Sequence, residues 1–182
     1  MATVLVPLAE GFEELEAVTV IDLLRRAQIE VTTAGLGPGP VRASRGTVVV
    51  PDTTLDEALK QDYHMVVLPG GQPGATHLEQ DGRIRELLQG MARAGRYTAA
   101  ICAAPKVLAA AGILAGRRAT CYPGAVKAEE FPDVAFGSEA VVTDGKVITS
   151  RGPGTAMDFA LTLIEKLADA GTRAQVEQAL VR

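Results

Sequence analysis

Short apolar runs alternate with stretches of helical period from one end of this chain to the other, and no other feature restricts the fold as much. Thr3–Leu8 reads as a buried strand, Glu14–Ala27 as a helix and Glu30–Ala34 as a second strand. Thr47–Val50 reads as a short strand and Leu55–Lys60 as a short helix. A central strand, His64–Leu68, precedes a helical region over Gly82–Ala94. Strand Thr98–Ile101 leads into helix Pro105–Ala111, and Arg118–Tyr122 reads as a further strand. Ala140–Thr143 and Lys146–Thr149 flank Asp144-Gly145, a pair that tolerates positive φ and so signals a hairpin. Helix Thr155–Ala170 opens with a T-x-x-D start, and a last helix covers Arg173–Leu180. Strands that alternate with helices predict a mostly parallel sheet covered by helices on both faces. Ligands then gather in the loops at the carboxyl ends of the strands.

With 182 residues, 47% of them hydrophobic, one domain over residues 1–182 can bury a substantial core. Eighteen basic against 22 acidic side chains leave a net charge of −4 with no basic run, so nucleic acid is not the expected partner. Two cysteines do not make a disulfide scaffold, and two histidines without ligand spacing do not make a structural zinc site. MATVLVPLAE has no basic leader and no apolar run reaches membrane-spanning length, so the expected compartment is the cytoplasm, with no membrane partner. GLGPGP (Gly35–Pro40) reads as a surface turn, because it neither follows the first strand nor opens a helix as a dinucleotide fingerprint would.

Candidate chemistry lies in the loops. Cys102 ends a strand and precedes a helix with Pro105 near its start, which puts the thiol at a sharp elbow. Backbone N–H groups and the helix dipole there favour thiolate. A small buried side chain is the alternative for Cys102, and it is the preferred reading for Cys121. On the first helix, Ala17, Val20, Ile21, Leu23, Leu24 and Ala27 build the apolar face, and Glu13 and Glu16 project into the same arc. Carboxylates in a first helical turn can simply complement the dipole, which suits Glu14 and also fits Glu13. Glu16 lies deeper, so its carboxyl is expected to be desolvated, raised in pKa and able to donate to a thiolate. In LPGGQPGA, Gly70 and Gly71 can turn N–H groups outward as an oxyanion pocket or form a plain turn. In TSRGPGT, Arg151 is either a local charge partner or a surface residue. Neither His64 nor His77 is tied to Cys102 in sequence, which demotes a Cys-His amidase.

GFEELEAVTVIDLLRRA, VVLPGG, AAICAAP and TSRGPGTAMDFAL together resemble the ThiJ/PfpI superfamily. The likeness is to the branch of bacterial YajL and the human Parkinson-disease-associated protein deglycase, over nearly the whole chain. It implies a flavodoxin-like three-layer sandwich that forms a homodimer. It also implies that Cys102 is an oxidation-prone nucleophile and Glu16 the protonated carboxyl that hydrogen-bonds it and stabilises its sulfinate. Gly71 and Ala103 match the backbone donors of the oxyanion-hole-like site. Arg26, Arg45 and Arg151 match basic positions near the site and dimer interface. Many members carry a histidine beside the cysteine; here that position is Tyr122, in CYPG. The activities implied are cofactor-free glyoxalase III or deglycase action on 2-oxoaldehydes and glycation adducts, or redox sensing and chaperone action on unfolded proteins.

Overall fold

A computed structural model describes residues 1–182. The first half runs β1 (Thr3–Leu8), α1 (Glu14–Arg26), β2 (Glu30–Gly35), β3 (Val41–Arg42), β4 (Val48–Val49), β5 (Thr53–Thr54) and α2 (Leu55–Ala58). Then come β6 (Met65–Leu68), α3 (Gly74–Gln80), α4 (Gly82–Arg93), β7 (Tyr97–Ile101) and α5 (Pro105–Ala110). The chain closes with β8 (Arg118–Thr120), β9 (Ala135–Gly137), β10 (Val141–Asp144), β11 (Val147–Ser150), α6 (Ala156–Leu167) and α7 (Ala170–Ala179).

Period-two alternation along the strands splits the core into two layers. Val4, Val6 and Leu8 of β1, Met65 and Val67 of β6, and Ala99 and Ile101 of β7 face α1 and α6. Leu5, Val66, Leu68 and Ala100 face the other way, toward α2, α4 and α5. The sheet has seven strands in the order β10-β11-β7-β6-β1-β2-β5. Every pair is parallel except the β10–β11 hairpin, whose register closes on Asp144 opposite Val147. The fold is therefore a flavodoxin-like α/β sandwich. The order reverses between β1 and β6, so the loops after these two strands and after β7 meet at one end of the sheet.

Several elements differ from the sequence reading. Helix α3 was not expected, because it starts at Gly74 directly after a Gly/Pro loop, and burial of Ala75 and Leu78 overrides that poor start. Helix α2 is a single turn. Strand β4 keeps only two residues of Thr47–Val50 and pairs with β3 in a separate ribbon. Strand β8 ends at Thr120 and pairs with β9 outside the main sheet, so Cys121 and Tyr122 lie beyond it. Thr155 does not cap α6; its hydroxyl bonds Ser150 Oγ at 2.7 Å and the Gly152 N–H at 3.2 Å instead. No helix is long and apolar enough to cross a membrane.

Candidate active site

The segments after β1, β6 and β7 hold the reacting groups, and those between β3 and β4, after β8 and after β11 complete the wall. At the end of β7, Cys102 takes φ +64°, a left-handed conformation that a residue with a Cβ adopts at a cost of roughly 1 kcal/mol or more. Two backbone hydrogen bonds hold it there. The Cys102 N–H donates to Ser150 O at 3.0 Å, and the Tyr122 N–H donates to Cys102 O at 2.8 Å. Strand β11 and the segment just after β8 thus brace the elbow from one side.

The loop after β6 braces it from the other. A Cβ on Gly70 would stand 2.7 Å from Cys102 Cβ and 2.7 Å from Glu16 Oε2, so only glycine fits. The Gly70 N–H donates to Glu16 Oε2 at 2.8 Å, and Gly70 O accepts from the Glu13 N–H at 2.8 Å. Glu13 caps α1 by accepting from the Glu16 N–H at 3.1 Å. Glu16 lies on the core face of α1 with no exposed surface, and its Oε1 has no hydrogen-bond partner. Glu14 accepts from Ser44 Oγ at 3.2 Å and from the Arg45 N–H at 3.1 Å, which ties the turn before β4 to α1.

Cys102 Cβ and Glu16 Oε2 meet at Gly70, each 2.7 Å from where a Cβ on that glycine would stand. Burial pushes the Glu16 carboxyl up to about 7, against hydrogen bonds from Cys102 and Gly70. The thiol is pushed up to about 12, first by burial, then by the charge of an ionised Glu16 and the hydrogen bond to it. The N–H groups of Ala103 and Gly71 act in the opposite direction. The expectation that backbone N–H groups and the helix dipole favour thiolate at Cys102 is therefore corrected for the state in which Glu16 is ionised. Six-residue α5 and two N–H groups do not outweigh burial beside a carboxylate. Through neutrality the pair passes from no charge to one negative charge, and moving the remaining proton from the sulfur onto an ionised Glu16 removes the repulsion that keeps the sulfur protonated.

A cavity of about 300 Å³ opens over the sulfur, lined by Glu13, Ser44, Arg45, Gly71, Gln72, Cys102, Ala103, Tyr122 and Pro153. Glu16 lies behind the sulfur and not in the wall. Tyr122 is half-exposed, and its ring packs over Gly152. Arg151 does not line this cavity; it is exposed and donates to Ser138 O at 2.8 Å. Arg26 is also corrected. It lies at the far end of α1 from Glu16, pairs with Asp22 at 2.6 Å and borders a separate hollow against α7. Ten residues of helix place it about 15 Å along the axis from Glu16. That hollow is larger, about 480 Å³, but it has no nucleophile. Neither histidine reaches the cavity: His77 Nδ1 lies 2.9 Å from Glu10 O, and His64 Nδ1 lies 2.9 Å from Thr3 Oγ1. No group of three or more His, Cys, Asp and Glu side chains is placed to hold a metal ion. Ser44, Gln72 and Pro153 went unnoticed in the sequence. Gln72 and Pro153 sit inside the two Gly/Pro loops already singled out, whereas nothing local marks Ser44.

The model of the DJ-1/PfpI family matches residues 2–166. The chain is 46% identical over 180 residues to the Parkinson disease protein 7 homolog of Danio rerio, covering 97% of this chain and 95% of that protein. It is 37% identical over 166 residues to a glutathione-independent glyoxalase of Caenorhabditis elegans, covering 91% and 88% of the two chains. The crystal structure of Drosophila melanogaster DJ-1beta superposes with a TM-score of 0.94 at 40% identity, covering 99% of this chain and 97% of the other.

Proposed function

The chain belongs to the DJ-1/PfpI family, and on that premise we propose that it is a cofactor-free enzyme that converts 2-oxoaldehydes to 2-hydroxy acids through Cys102. The observation that carries this reading is the elbow sulfur in the wall of a cavity, beside Gly71 and Ala103 whose N–H groups favour its ionised form, with a carboxyl of raised pKa adjoining it. Glu16 takes the thiol proton as the sulfur adds to the aldehyde carbon. The C–S bond forms, and the carbonyl π pair moves to an oxygen held by the Gly71 and Ala103 N–H groups. That oxygen receives the proton from Glu16. The carboxylate then removes the hydrogen of the attacked carbon and returns a proton to the neighbouring carbon, while the hydroxyl proton on the first oxygen passes to the second, leaving the thioester of a 2-hydroxy acid. Water hydrolyses the thioester and frees the thiol. The net change is addition of one water, with no oxidant. Early glycation adducts that release such aldehydes belong to the same substrate class, and the 37% identical relative is itself named a glyoxalase. Lactate formation from methylglyoxal is the test. Cys102→Ala and Glu16→Ala are each expected to abolish it, and undiminished turnover in either variant overturns the assigned roles.

One observation favours a second reading, redox sensing. Glu16 Oε1 is buried and unpartnered, and it is available to hydrogen-bond an oxygen added to the sulfur. Thiolate attack on peroxide forms an S–O bond and releases hydroxide, and a second peroxide takes sulfenate to sulfinate with loss of water. Mild peroxide should then add two oxygens (about 32 Da) at Cys102 alone; prior oxidation of half-buried Cys121 counts against this reading.

Two further expectations belong with this reading. Both cysteines are free, which suits the reducing cytoplasm. Leu15 and Val18 of α1, Val48 of β4 and Val50 just after it are exposed, and Val18, Ile21, Val49 and Val50 border one shallow hollow. Asp22, Arg25, Thr33 and Asp52 line the same hollow, and this mixed face of exposed valines and charged groups is where a homodimer is proposed to form.

A further inference from the structure

We propose that the side-chain amide of Gln72 is a third hydrogen-bond donor of the Cys102 cavity, and that Thr76 and Lys106 hold it in that sense. The site thereby favours substrates with a second carbonyl next to the aldehyde. The inference rests on the aldehyde-addition reading and deepens it.

A hydrogen-bonded chain leads away from the cavity wall at Gln72 to Thr76 and Lys106, which lie outside the cavity. Lys106 Nζ, on α5, lies 2.8 Å from Thr76 Oγ1 on α3, and Thr76 Oγ1 lies 2.9 Å from Gln72 Oε1. An ammonium has no lone pair to offer, so Thr76 Oγ1 accepts from Lys106. The structure turns the amide oxygen of Gln72, not its NH₂, toward the hydroxyl, and Oε1 accepts the hydroxyl hydrogen. With its oxygen occupied by the hydroxyl of α3, the carboxamide carries its NH₂ on the opposite branch. That NH₂ makes no hydrogen bond within the protein, and Gln72 is one of the residues lining the cavity. Without Lys106 and Thr76 the amide could rotate by half a turn and present an acceptor, which would repel a carbonyl.

Position and chemistry then agree. The preceding residue, Gly71, turns its N–H toward the sulfur at φ +90°. An aldehyde oxygen on the attacked carbon meets the Gly71 and Ala103 donors. The second oxygen of a 2-oxoaldehyde lies one carbon further from the sulfur, inside a cavity whose wall includes Gln72. A simple aldehyde has only hydrogens there and leaves the donor unused. One neutral hydrogen bond gained or lost corresponds to about a tenfold change in affinity.

The test reads formation of the Cys102 adduct and not turnover. Protection of Cys102 from iodoacetamide is measured by peptide mass spectrometry with methylglyoxal or propanal as protectant. The proteins are wild type, Thr76→Val, Thr76→Ser and Gln72→Met. The half-protecting concentration of methylglyoxal should rise about tenfold in Thr76→Val and Gln72→Met and return to the wild-type value in Thr76→Ser, with propanal the same in all four. Equal methylglyoxal protection in all four proteins overturns the proposal, as does a parallel loss for propanal, which would mark general damage to the elbow. So does absence of protection in wild type. If the shifts appear but no lactate forms, the glyoxalase reading fails and the Gln72 assignment stands.

Discussion

A carboxyl with no exposed surface and one unpartnered oxygen is an expensive residue to keep ionised, and Glu16 is such a group. Its folded-state value of about 7 lies above the ordinary 4.5, so the folded protein binds this proton more tightly than the unfolded chain does. The stability Glu16 contributes is thus fully present below about pH 4.5 and is lost as pH rises through 7. The difference corresponds to about 3 kcal/mol. Urea unfolding at a series of pH values should show this decline in the wild type. Glu16→Gln should lack it and be the more stable protein above pH 7; parallel profiles would show that the carboxyl is not strained. Glu16 was legible in the sequence because it breaks the apolar face of a regular helix. The direction of the Cys102 shift was not, because it depends on the carboxyl that burial places against the thiol.

The elbow between β7 and α5 extends the argument to an element. A cysteine at φ +64° carries strain that glycine does not. Cys102→Gly should therefore be about 1 kcal/mol more stable than Cys102→Ala, while both lack turnover. Thermal unfolding of the two variants checks this, and equal midpoints would place the strain elsewhere. At the neighbouring loop the reverse holds. Gly70→Ala forces a methyl against Cys102 Cβ and Glu16 Oε2, each 2.7 Å away, and should cost about 1–3 kcal/mol with altered Cys102 alkylation. The strand–loop–helix order around both loops follows from apolar runs that end in small residues and proline. Helix α3 escaped notice because its first residue is a glycine and its buried face is only Ala75 and Leu78.

At the scale of the whole molecule, the exposed Leu15, Val18, Val48 and Val50 lead to a prediction about assembly. Light scattering should find two chains per particle for the wild type and one for Val18→Glu/Val50→Glu; a monomeric wild type would remove the homodimer from the proposed reading. Strand type, the alternation with helices, the elbow cysteine and the odd glutamate were all determined by the sequence alone, because each is a local matter of periodicity, turn chemistry and side-chain size. Which loops meet was decided only by the tertiary structure. The reversal of strand order between β1 and β6 brings Glu16, Gly70 and Cys102 together across gaps of 54 and 32 residues (70 − 16 and 102 − 70). The same packing removes Arg26 from the site and brings in Ser44 and Gln72. Contacts so distant along the chain leave no local pattern, since they arise from where whole layers pack and not from the preferences of any one segment.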